Sequence, residues 1–116
     1  MNKILAVMSD LMFSVKVLDA AKAAGRAVEF VKSMDRALEK AAERPALMVL
    51  DLNCREVDTV ELLRRLKSDP ELRSLRTLGF ISHVQEGRRR EAMEAGCGQV
   101  VARSVFSERA AELLAS

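Results

Sequence analysis

Short apolar runs alternate with segments of helical spacing along the whole chain. The runs fall at Ile4 to Val7, Ala27 to Val31 (interrupted by Glu29), Ala46 to Leu50, Leu78 to Ile81 and Val100 to Ala102. Each is too short for a helix and right for a strand. Between them the apolar positions recur every three or four residues: Leu11, Val15, Leu18 and Ala21 in a first helix, Met34, Leu38 and Ala41 in a second, Val60, Leu63 and Leu66 in a third. Val84 to Ala95 also reads as a helix, with little apolar face because Arg88, Arg89 and Arg90 occupy it. Ser107 to Ala115 reads as a short terminal helix capped by Ser107.

Residues at the boundaries agree with this division. Gly25 follows the first helix and Gly96 the fourth, where a left-handed terminating residue is wanted; Pro45 lies just past the second, and Asp69-Pro70 stops the third. Asp58 followed by Glu61 has the form of a capping box opening that third helix. Strands and helices in alternation, joined by short connections, predict parallel strands with right-handed crossovers, and uninterrupted apolar strands predict a sheet covered on both faces. The expected architecture is an α/β three-layer sandwich around a five-stranded parallel sheet, with residues 1–116 forming one domain.

Composition narrows the function more by exclusion than by assertion. At 116 residues with 49% hydrophobic content, the chain can bury a core without metals or disulfides. Lys plus Arg number 19 against 17 Asp plus Glu, a surplus too small to imply an anionic partner. Arg64, Arg65, Lys67, Arg73, Arg76 and Arg88 to Arg90 are interleaved with Asp69, Glu71, Glu86, Glu91 and Glu94, which reads as a solvated face. With no Tyr or Trp to stack on bases, nucleic acid is not the expected partner. Cys54 and Cys97 sit in no metal-ligand spacing and, at opposite ends of their strands, are not expected to pair. No apolar window is long enough for a membrane span or a signal peptide, so a cytoplasmic location is expected.

In open sheets of this kind, chemistry gathers at the carboxyl ends of the strands. Those ends carry Met8, Ser9 and Asp10 on the first strand, Asp51, Leu52 and Asn53 on the third, Ser82 and His83 on the fourth, and Arg103 and Ser104 on the fifth. The first turn, Val7-Met8-Ser9-Asp10-Leu11, has no glycine to admit a dinucleotide or flavin phosphate, and no nucleophile-elbow or metallohydrolase spacing occurs, so an enzyme is not expected. His83, the only histidine, reads as a surface or packing residue, and Cys54 as a small packed thiol. Asp51 reads either as a site residue, ion-paired with Arg103, or as a polar strand terminus; its place after five apolar residues favours the first.

Over essentially its whole length this constellation resembles the receiver domain of two-component response regulators. The resemblance implies a flavodoxin-like sandwich with strand order 2-1-3-4-5. It places the phosphoryl acceptor on Asp51, a carbonyl ligand for magnesium on Asn53, and phosphoryl contacts on Ser82 and Arg103. The departures are equally specific. The family's acidic pair falls on Met8 and Ser9, with Asp10 one place late; its lysine is Arg103; its aromatic switch is Val100; and Cys54-Arg55 and Asp58-Thr59 stand where Met-Pro and Asp-Gly are common. Magnesium wants hard oxygen ligands, which a thioether and a hydroxyl do not replace.

The expectation is therefore a pseudo-receiver, a signalling module that needs no cofactor and acts by protein–protein interaction. Its interaction face, which could also make a homodimer, would be the fourth helix, fifth strand and fifth helix, carrying Arg88, Arg89, Arg90, Glu94, Val100, Val105 and Phe106. The alternative is a phosphorylatable single-domain regulator in a phosphorelay, with magnesium held by Asp10, Asp51 and Asn53.

Overall fold

In the computed structural model, which describes residues 3–82 and 86–115, five strands alternate with five helices. In chain order they are β1 (Lys3–Val7), α1 (Leu11–Ala23), β2 (Ala27–Val31), α2 (Met34–Ala41), β3 (Leu47–Asp51), α3 (Thr59–Ser68), β4 (Thr77–Ile81), α4 (Glu86–Glu94), β5 (Gln99–Ala102) and α5 (Arg103–Ala115). The strands pair in parallel in the order β2-β1-β3-β4-β5, as expected. Strand alternation divides the interior in two. Leu5, Val7, Met48 and Leu50 face a core shared with α2, α3 and α4, while Ile4, Ala6, Val49 and Phe80 face a second core with α1 and α5. Glu29 interrupts the second apolar run because β2 is an edge strand; its carboxylate pairs with Lys3 and, at 3.4 Å, Lys40.

Local signals set the helix ends. Asp10, Ser33 and Asp58 each accept a bond from the backbone N–H three residues on, relieving an otherwise orphaned donor. Gly25 and Gly96 adopt positive φ, 73° and 100°, as their places after α1 and α4 predicted.

Two expectations are corrected. α5 begins at Arg103 rather than Ser107, with a break in helical geometry at Arg109, so its first turn carries Phe106 into the core against Phe80. On α1 the buried face is Phe13, Val17, Ala20 and Ala21; Leu11, Val15 and Leu18, expected inside, are exposed. Phe13 decides the face, because its ring meets Phe80 and Phe106 at centroid distances of 5.0 and 5.7 Å. The fourth helix matches the reading from Glu86 to Glu94, with Ala92 buried; Val84, its expected start, lies outside the described residues. Both cysteines are free and buried. Among the described residues no helix is long and apolar enough to cross a membrane.

Candidate functional site

Four strand ends meet on one rim, and each delivers a different chemistry. Asp51, the last residue of β3, is only 5% exposed. Its Oδ1 accepts the Asn53 N–H at 2.9 Å, and its carbonyl accepts the buried Thr59 hydroxyl at 3.1 Å, so the loop after β3 is fastened to the strand it leaves. Asn53 then reaches across to β4: its Oδ1 accepts both the Ser82 N–H, at 2.7 Å, and the Ser82 hydroxyl, at 3.0 Å. Asp51, Asn53 and Ser82 are thus brought together, and by the Asn53 side chain rather than by the backbone carbonyl to which the resemblance assigned a role. Arg88 adds an outer tie, its Nε donating to the Leu52 carbonyl at 2.9 Å.

The β1 end is built differently. Met8 is buried in the α1 side of the core, its N–H donating to the Val31 carbonyl at 3.1 Å. Ser9 donates to Glu56 at 2.6 Å, and the Cys54 sulfur lies 3.7 Å from the same carboxylate oxygen. Asp10, just past the strand, caps α1 through Phe13 N–H at 3.0 Å and pairs with Arg103. The expected ion pair of Arg103 with Asp51 is therefore corrected: Arg103 salt-bridges Asp10, and its guanidinium lies 4.2 Å above the Phe13 ring.

Electrostatics follow from this arrangement. Burial raises the Asp51 carboxyl above its ordinary range; Asp10 and Glu56 push the same way, while the Asn53 N–H and Arg103 oppose them. Asp10 is lowered, first by the Phe13 N–H and then by Arg103, and Glu56 is lowered chiefly by the Ser9 hydroxyl. Magnesium does not fit this donor set. Met8 offers a buried thioether, Asp10 is committed to a helix cap and an arginine, and among the described residues no three His, Cys, Asp or Glu side chains are grouped to hold a metal.

Of the expected interaction face, Phe106 and Val100 are core residues and Arg88 is turned inward to Leu52; Arg89, Arg90 and Glu94 are exposed and Val105 is half-buried. The correction for Phe106 has the same cause as the early start of α5. His83 lies outside the described residues. Glu56 and Thr59 were missed as site residues. Nothing in spacing links a loop glutamate to Ser9, whereas Thr59, directly after the Asp58 cap, sits where a helix start could have flagged it.

No protein-family model matches the chain, and no curated protein matches it in sequence. Solved structures do match. A response regulator from Hahella chejuensis superposes with a TM-score of 0.86 at 17% identity, covering 98% of this chain and 92% of that one. The chemotaxis response regulator CheY4 of Vibrio cholerae gives 0.81 at 18% identity, covering 98% of each chain. The receiver domain of sensor histidine kinase PA1611 from Pseudomonas aeruginosa, with magnesium coordinated in its active-site cleft, gives 0.84 at 17% identity over 97% of this chain and 93% of that one. At such identities the likeness speaks for architecture: this chain has the fold of response-regulator receiver domains.

Proposed function

We propose that the chain is a receiver-fold signalling module that works by binding protein partners and does not accept a phosphoryl group by the magnesium-dependent route. One observation carries this reading. The β1 end, where a receiver's acidic pair would sit, is a buried methionine and a serine already bonded to Glu56. An incoming phosphoryl donor would meet the Asp51 carboxylate with no divalent cation to offset their repulsion. The site is non-catalytic in this reading, and its ordered loops serve as a rigid surface.

A second reading, a phosphorylatable single-domain regulator, draws support from Asp51, Asn53 and Ser82 standing together at the rim. Incubation with acetyl phosphate, with and without magnesium, followed by intact-mass analysis separates the two. The module reading expects no magnesium-dependent adduct. A phosphoryl adduct that needs magnesium and vanishes in Asp51→Asn would overturn it in favour of the second.

A further inference from the structure

The end of the sheet opposite the rim holds a cavity that the signalling reading does not use. It lies among the starts of β3 and β4, the turn before β5 and the last turns of α3 and α5, with a volume of about 240 Å³, the share of roughly eight water molecules. Asp51 is a strand length away, four residues along β3 from Leu47 or about 13 Å. The cavity wall is divided by polarity. Leu47, Leu75, Leu78 and Leu113, all buried, form its back, and Lys67, Ser74, Arg76 and Gln99 line its open side.

Lys67 is built into this wall. Its stem lies across Gly96, so close that a methyl group on that glycine would fall 2.7 Å from its Cγ and Cε. Its ammonium reaches past the end of its own helix and donates to the Arg73 carbonyl at 2.9 Å, a bond that uses one of its three N–H donors. Gly98 closes the floor: its N–H donates to the buried Thr77 hydroxyl at 2.8 Å, and a side chain there would meet the Thr77 carbonyl at 2.9 Å. The charge is not offset locally. Among the described residues Lys67 forms no ion pair and no acid lines the cavity. Asp69 and Glu71, the acids of the same connection, line a separate cavity with Arg44. Arg76, which has a further partner in the fold, adds a second positive charge. A cation beside a leucine wall is poorly screened, so an anion with an apolar part of its own completes the site.

We propose that this cavity binds a small organic phosphate, a monoester whose carbon chain lies on the leucines and whose phosphate meets Lys67, Arg76 and the Ser74 hydroxyl. Such a monoester carries about two negative charges at neutral pH and matches the two cations. Its oxygens also accept from several directions at once, as an ammonium, a guanidinium and a hydroxyl set around one opening require, whereas a carboxylate offers one charge in one plane. With few atoms to hold, the dissociation constant is on the order of 0.1–1 mM. The inference goes beyond the signalling reading and holds whether or not Asp51 accepts a phosphoryl group.

Butyl phosphate tests it in an amide-shift titration of the whole isotope-labelled chain, beside inorganic phosphate and butanol. The expected result is saturating shifts at Ser74, Gly98 and Gln99, an affinity about threefold or more above that for inorganic phosphate, and no binding of butanol. Lys67→Gln, folded by circular dichroism, should weaken binding about tenfold, and Lys16→Gln, on α1, should leave it unchanged. If Lys67→Gln does not fold, Arg76→Gln, on the exposed side, should show a loss of the same order. Shifts that fail to saturate below roughly 10 mM, equal affinity for the two phosphates, a lysine or arginine variant that binds like wild type, or shifts centred on Ser82 and Arg103 instead would each overturn the proposal.

Discussion

The two halves of the rim were built to different ends. On the β3 and β4 side, Asp51, Asn53 and Ser82 form one continuous polar chain whose members each point at the next. On the β1 side, Met8 has joined the core and Ser9 is cross-linked to Glu56. The contrast separates scaffold from chemistry. A cluster of carboxylates is costly to hold without a cation, because each raises the free energy of the next. Exchanging two of those positions for a thioether and a hydroxyl removes that repulsion and adds apolar contact, while the neighbouring strand ends keep their shape. On the proposed reading, a receiver-like rim loses its metal chemistry without losing its fold.

The sharpest way to break this contrast is to undo it. Met8→Asp with Ser9→Asp returns two carboxylates to the β1 end. Without metal the double variant should be less stable than wild type by about 3 kcal/mol, because a buried charge is left uncompensated. Millimolar magnesium should restore much of that loss in urea melts, and acetyl phosphate labelling of Asp51 should rise at least a hundredfold over wild type. A variant that neither loses stability nor responds to magnesium would show that the β1 end was never what kept the chemistry out.

How much of this could be read beforehand depends on how local the signal was. Five strands follow from short apolar runs, their order from the resemblance to receiver domains, and the placing of Asp51, Ser82 and Arg103 at strand ends from each closing such a run. The face of α1 did not follow. Its positions 11–13, 15, 17, 18, 20, 21 and 23 are all apolar, so a period of 3.6 residues fits two faces equally, and only the packing of the Phe13 ring against Phe80 chooses between them. The start of α5 was hidden for a different reason: Ser107 has the form of a helix cap, so the helix reads as opening there, whereas it follows β5 directly at Arg103. Glu56 and the inward turn of Arg88 rest on contacts between segments far apart in sequence, which no periodicity encodes.

A smaller effect sharpens the description of the intact half. Asn53→Ala deprives the Ser82 N–H and hydroxyl of their common acceptor in a partly buried setting. The expected cost is about 1–3 kcal/mol, read as a lower urea midpoint at an unchanged slope. Amide exchange should quicken at Ser82 and be unaltered at Met8, since the Met8 N–H is held by the Val31 carbonyl of the neighbouring strand. Equal quickening at both sites would mean that the rim is one unit and that the division between its halves is false.

The smallest effect concerns Asp51 itself, and its sign is the informative part. Burial holds its folded-state pKa above the unfolded value, so in the window between the two the native chain binds more protons, and stability falls as pH rises through it. Asn at this position keeps an oxygen for the Asn53 N–H and carries no charge. Below the ordinary aspartate range Asp51→Asn and wild type should therefore differ little; as pH climbs past the raised pKa the variant should become the more stable, by about 1 kcal/mol or less. The change in Asp10 runs the other way, because its lowered pKa contributes stability that is lost as pH falls, and it is common to both proteins, so only its repulsion of Asp51 enters the difference. Urea melts from roughly pH 3 to 7 resolve that difference. If wild type proves the more stable at neutral pH, the Asn53 N–H and Arg103 outweigh burial at Asp51, and the polar half of the rim is a relaxed ion-binding element rather than a strained remnant of one.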